Sequence, residues 1–91
     1  MYSKVVSIVN ATGLHARPAS LFVNEAKNFK SKVTIKKAGT DADPANAKSI
    51  ILLLALALAA GTEIEIAADG EDEVQAVDTL VKLVESGFGE A

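Results

Sequence analysis

The segment TGLHARPAS, residues 12–20, holds the chain's one histidine, with glycine two positions before it, arginine two after and proline three after. A histidine used only for packing needs none of those neighbours. Pro18 suits the first turn of a helix, where its missing N–H is no loss. His15 and Ala16 then stand at the helix mouth, among backbone N–H groups that have no intrahelical partner. The helix dipole adds about half a positive charge at that end. Such a place favours an anion, phosphate above all. Gly13 is expected to let the chain turn tightly and to leave space beside the ring. Arg17 brings a planar fork of donors suited to phosphate oxygens.

An anion site alone would not need an imidazole. That side chain, with an ordinary pKa of about 6.5, is nucleophilic in its neutral form at cell pH. The stretch therefore describes a histidine able to take a phosphoryl group onto a ring nitrogen, with the helix start and Arg17 holding the oxygens. The same residues also suit a surface histidine that simply caps a helix. Both readings stay open on the residues alone.

These side chains need a scaffold. YSKVVSIV reads as a strand, with Val6 and Ile8 on one face and Val5 and Val9 on the other. The turn cluster NATG ends it. From Arg17 the period changes, and Ala19, Phe22, Val23 and Ala26 form one helical stripe, expected to end near residues 28–30. KVTIKK alternates Val33 and Ile35 with Thr34 and Lys36, a strand with one wet face.

AGTDADPAN is expected to be a turn or wide hairpin with at most a short edge strand. Asp41 and Asp43 alternate as calcium ligands do, but no Gly and Glu follow at loop spacing, so a solvated loop is expected. Asn46 is expected to cap a second helix carrying Lys48, Ser49 and the apolar run of residues 50–60, closed by Gly61. TEIEIAA is a strand with Ile64 and Ile66 inward. DGEDE puts acids at the start of a third helix, whose stripe is Val77, Leu80, Val81 and Val84. The order β-α-β-(β)-α-β-α predicts an α+β sandwich, one sheet with helices over one face, as a single domain over residues 1–91.

Composition narrows the function classes. Ninety-one residues suit one core, and with 49% apolar but only 4% aromatic residues that core must be aliphatic. A formal charge of −3 argues against a nucleic-acid binder held by phosphate contacts. Nine Lys and Arg still allow a local basic patch. With no cysteine, disulfides and thiolate metal sites are excluded. The apolar run at residues 50–60 is well short of the ~20 residues that cross a bilayer, and the N-terminal stretch lacks the pattern of a signal peptide. A cytoplasmic protein is expected, without membrane insertion, metal or cofactor.

GLHARPA resembles the active-site signature of the HPr phosphocarriers of the bacterial phosphoenolpyruvate:sugar phosphotransferase system. NAKSI, residues 46–50, resembles the segment that holds that family's regulatory serine, and the similarity runs from the first strand to ESGFGE. The resemblance implies an open-faced β-sandwich, a four-stranded antiparallel sheet covered by three helices. It implies that His15 accepts a phosphoryl group on Nδ1 from Enzyme I and passes it to the A components of sugar permeases. Arg17 would contact that group, and Thr12 and Ala16 would flank it.

By the same resemblance Ser49 is the target of an ATP-dependent HPr kinase/phosphorylase, and catabolite control protein A is a further partner. Placed in the first turn of the second helix, a phosphate of about −1.5 to −2 would meet the positive dipole end and leave the fold intact. The plainer reading of Ser49 is a helix-start serine used as a cap. Ile50, Ile51 and Leu54 resemble the family's exposed docking patch, rimmed by Lys27 and Lys48, with Leu53 and Leu56 facing the core. A monomer is expected.

Two departures stand out. Leu52 occupies a position where glycine is common, and the hairpin at residues 39–46 is longer than usual. A nitrogen-related paralogue would keep the histidine chemistry within a regulatory cascade. A small acyl-phosphate hydrolase would want water-activating groups and a second arginine, but Arg17 is the only one. A purely interacting module would leave His15 unexplained.

Overall fold

The computed structural model describes residues 1–89. Its elements in chain order are β1 (Tyr2–Ser7), α1 (Ala16–Ala26), β2 (Lys32–Lys37), β3 (Ala45–Asn46), α2 (Ile50–Ala55), β4 (Glu63–Asp69) and α3 (Glu73–Glu85), then a 3₁₀ segment, Gly87–Gly89. The strands lie in the order β1-β4-β2-β3, each antiparallel to its neighbours. β1 and β2 therefore run parallel with β4 between them, and α1 crosses from one to the other. β3 and β4 are related in the same way through α2. Two βαβ units interleave, which puts the helices on one face.

The register explains why the alternating patterns work. Val6 pairs with Ile64, and Ile35 pairs with Ile66, so these four side chains point the same way. They meet Ala19, Phe22 and Val23 of α1, Leu53 of α2, and Ala76, Val77, Leu80 and Val84 of α3 in one buried aliphatic core. Val5, on the opposite face of β1, is exposed. The expected four-stranded antiparallel sheet with helices over one face is thus the observed architecture. No helix among the described residues is long and apolar enough to cross a membrane. Glu90, the last residue of ESGFGE, lies outside the described residues, as does Ala91.

Two helices differ from their expected spans. α1 begins at Ala16 and ends at Ala26, where Lys27, Asn28 and Phe29 turn back with bonds to Val23, Glu25 and Ala26. α2 is the larger correction: it covers only Ile50–Ala55, not the stretch from Asn46 to Gly61. Asn46 does not cap it. Its backbone is drawn into the sheet edge opposite Thr34, and its side chain accepts from the Lys48 N–H instead, at 2.9 Å. At the other end, Ala57 adopts φ +50, which stops an α-helix despite the favourable Ala and Leu around it. Tertiary contacts, set out below, demand that break.

A clamp at the opposite side of the molecule fixes where β2 starts. The Asp72 carboxylate accepts from the backbone N–H groups of Lys30 and Ser31, each at 2.9 Å, and from the Ser31 hydroxyl. These bonds, the hydroxyl's first, hold the Asp72 carboxyl down from the ordinary 3.8 to about 2. A depressed carboxyl contributes stability that is fully present above its unfolded pKa and lost as pH falls through the folded one. Asp72→Asn is therefore expected to be less stable than the natural protein above pH 3.8, with the gap closing as pH approaches about 2. Denaturant unfolding across that range checks it. A gap that stays constant with pH would mean the charge on Asp72 contributes nothing.

Candidate functional site

His15 is the N-cap residue of α1, in extended conformation with φ −93 and ψ −164. Its carbonyl takes the first helical bond, from Ala19 N–H at 2.9 Å. Its ring, by contrast, does no capping and is exposed to solvent. An N-cap histidine is a weak cap in any case, because Ser, Thr, Asp and Asn do that work. The helix start is therefore left unserved.

What remains there is a set of donors. Pro18, the third helical residue, has no N–H and is buried. The amides of Ala16 and Arg17 have no acceptor among the described residues. The first turn carries no acidic residue to compete for them. Arg17 is exposed and makes no ion pair among the described residues, so its fork of donors is also uncommitted. Thr12 is exposed just before the turn, with its hydroxyl accepting from Asn10 at 3.1 Å. Four of the expected site residues, Thr12, His15, Ala16 and Arg17, are thus brought to one helix mouth.

Gly13 needs a correction. It has φ +67, as a tight turn requires, but the space it leaves is not beside the ring. A Cβ there would stand 2.5 Å from the Leu58 carbonyl oxygen and 2.9 Å from Ala59 Cα. The chain after α2 presses against Gly13, and the Leu58 carbonyl accepts from the Leu14 N–H at 2.8 Å. This is why α2 must end where it does: an α-helix continuing through residues 57–60 would turn that carbonyl inward to its own helix. The left-handed Ala57 aims it at Leu14 instead.

The second candidate region is the start of α2. Ser49 is its N-cap, not a first-turn residue, and its hydroxyl accepts from Leu52 N–H at 3.3 Å. Ile51 is 76% exposed, and Leu52 and Leu54 are exposed beside it, while Leu53 is fully buried. Ile50 departs from expectation: it is half-buried and packs against the core. The patch is therefore Ile51, Leu52 and Leu54, with Leu52 contributing where glycine would leave nothing. Leu56 is partly buried against the same core. Lys27 is exposed, but the Lys48 ammonium donates to the Phe29 carbonyl at 2.8 Å and so ties α2's entry to the end of α1.

Sequence reading missed Asn10, which is only 4% exposed. It looked like one of several turn residues, and only its burial reveals more. No group of three or more side chains suited to holding a metal ion occurs among the described residues.

Fold and site together define a small α+β protein with an exposed histidine at the N-cap of its first helix. Known proteins share this fold. A family model described as the PTS HPr component phosphorylation site matches residues 2–86. The chain is 52% identical over 84 residues to the phosphocarrier protein HPr of Haemophilus influenzae, covering 92% of this chain and 95% of that protein. It is 45% identical over 85 residues to the HPr-like protein Crh of Bacillus subtilis, covering 93% and 96%. The crystal structure of HPr-C-His from Thermoanaerobacter tengcongensis superposes with a TM-score of 0.92 at 42% identity, covering 100% of this chain and 99% of that one. The chain belongs to the HPr family of phosphotransferase-system phosphocarriers.

Proposed function

We propose that His15 accepts a phosphoryl group on Nδ1 from phosphorylated Enzyme I and hands it to the A components of sugar permeases. The observation that carries this reading is the helix start itself: an exposed imidazole at the N-cap, beside the Ala16 and Arg17 amides, which have no acceptor among the described residues. In the step, the Nδ1 lone pair forms the new bond to phosphorus as the donor's bond to that phosphorus breaks. The electron pair leaves with the donor, and Nε2 keeps its proton. The two amides, the dipole of an eleven-residue helix and Arg17 balance the charge on the phosphoryl oxygens. In this reading the chain works as a cytoplasmic monomer and docks through Ile51, Leu52 and Leu54, with Ile50 supporting them from beneath.

Arg17 supplies the first test. Charge-assisted hydrogen bonds are worth about 1.5–3 kcal/mol each, so Arg17→Ala is expected to slow acceptance from Enzyme I roughly tenfold to a hundredfold. Its melting temperature should barely move, because an exposed residue away from the core usually changes stability by less than about 0.5 kcal/mol. Rapid-quench transfer rates and a thermal melt separate the two. Full activity with a large loss of stability would make Arg17 structural.

Ser49 is proposed as a site for HPr kinase/phosphorylase, with catabolite control protein A reading the phosphorylated form. The NAKSI segment and the likeness to Crh support this. Phosphate on Ser49 would stand directly before Ile51, Leu52 and Leu54, where an acidic partner must land. Ser49→Asp is expected to keep the fold, since Asp is as good an N-cap as Ser. It should slow acceptance on the order of threefold to tenfold at low salt, and added salt should narrow the difference. Acceptance at the natural rate in low salt would remove Ser49 from the docking surface.

A further inference from the structure

The peptide group joining Gly13 to Leu14 is gripped on both sides. Its carbonyl oxygen accepts from Asn10 Nδ2 at 2.8 Å, and its N–H donates to the Leu58 carbonyl at 2.8 Å. The same Asn10 Nδ2 reaches the Thr12 hydroxyl at 3.1 Å, and the Asn10 carbonyl accepts from Gly13 N–H at 3.1 Å. Asn10 is buried, and Leu14 beside it is buried too. Burying an amide N–H is costly unless it is bonded, and Asn10 Nδ2 has two acceptors, the Gly13 carbonyl and the Thr12 hydroxyl, which together fix its direction. A peptide unit is planar and rigid, and fixing both its polar ends fixes its plane. The next residue is His15.

We propose that Asn10 is a positioning residue for phosphoryl acceptance: with the Leu58 carbonyl, it sets the plane of the Gly13–Leu14 peptide and thereby the direction of the His15 ring and of the Ala16 and Arg17 amides. This rests on the reading of His15 as the acceptor. The consequence is that the helix mouth is not oriented by α1 alone. It is clamped between the turn after β1, through Asn10, and the loop after α2, through Leu58. The device suits an exposed site, because the His15 ring lies open to solvent and near-attack geometry is then set by the backbone.

Two measurements test it. With this chain as the substrate of Enzyme I, Asn10→Ala is expected to lower kcat roughly tenfold to a hundredfold and leave KM within about twofold, since docking is elsewhere. Asn10→Ser, which keeps a donor hydroxyl, should recover part of the rate. A merely structural asparagine would lower the melting temperature and leave kcat unchanged at temperatures where the variant is folded, and that result would overturn the proposal. Amide hydrogen exchange of the unsubstituted protein needs no variant to fold. The Leu14 N–H should exchange far more slowly than those of Ala16 and Arg17, and equal exchange would show that no clamp exists. If the unsubstituted protein accepts no phosphoryl group, the acceptor reading falls and the positioning role with it. Normal acceptance by both it and Asn10→Ala would overturn the positioning role alone.

Discussion

Replacing His15 by alanine is expected to abolish phosphoryl acceptance and leave the fold intact. The ring is exposed and makes no capping bond, so its removal opens no cavity and orphans no buried partner. The helix start keeps its amides and Arg17, and phosphate could still rest there as a bound anion, but nothing remains to form a bond to phosphorus. Ser49 and Thr12 offer only hydroxyls, which are weak nucleophiles without an adjacent base. Incubation with Enzyme I and phosphoenolpyruvate, followed by intact mass, should show one phosphoryl group on the natural chain and none on His15→Ala. A thermal melt should show the two equally stable within about 0.5 kcal/mol. Normal modification of the alanine variant would end the carrier reading.

Gly13→Ala is expected to be the most damaging single change near the site, although it removes no chemical group. Two effects add. Alanine at φ +67 costs roughly 1–2 kcal/mol. Its Cβ, 2.5 Å from the Leu58 oxygen and 2.9 Å from Ala59 Cα, meets backbone that cannot swing aside as a side-chain tip would. Overpacking of that kind typically costs a further 1–3 kcal/mol. A total of about 2–5 kcal/mol in a chain this small corresponds to a fall in Tm of roughly 10–30 °C. The strain would be relieved by pushing Leu58 away from Leu14, so acceptance at His15 should fall as well, even at temperatures where the variant is folded. A Tm within a few degrees of the natural protein would mean the loop after α2 yields freely and supports nothing.

The contrast between those two residues shows what was legible in the sequence. His15, Ala16, Arg17 and Pro18 are neighbours, and their meaning depends on one local event, the start of a helix. The strands were legible for a similar reason: Val6, Ile35, Ile64 and Ile66 alternate with polar residues, and the pleat turns alternation directly into faces. The α+β sandwich follows from the order of such elements.

What escaped depends on partners far away in the chain. The run at residues 50–60 has every local property of a long helix, yet it breaks at Ala57 because Leu14, more than forty residues earlier, takes the Leu58 carbonyl. Asn46 has the type of an N-cap, but pairing with Thr34 claims it for the sheet edge and passes the cap to Ser49. Asp72 looked like helix-start charge, and it instead holds the amides of Lys30 and Ser31 from across the fold. Asn10 gave no signal beyond being a turn former. Its importance lies in its burial, which no short window of sequence contains.

The most direct test of the central claim is to localise the modification on the natural protein. After incubation with Enzyme I and phosphoenolpyruvate, the chain should be kept at alkaline pH and fragmented for mass spectrometry. Two-dimensional ¹H–¹⁵N spectra of the imidazole should be recorded in parallel. The expected result is one phosphoryl group per chain, lost on acidification, on the fragment containing His15, with the ring's Nδ1 resonance displaced by the new bond to phosphorus. Stoichiometric phosphate on any other residue, or an unmodified His15 ring in a protein that Enzyme I has phosphorylated, would contradict the account.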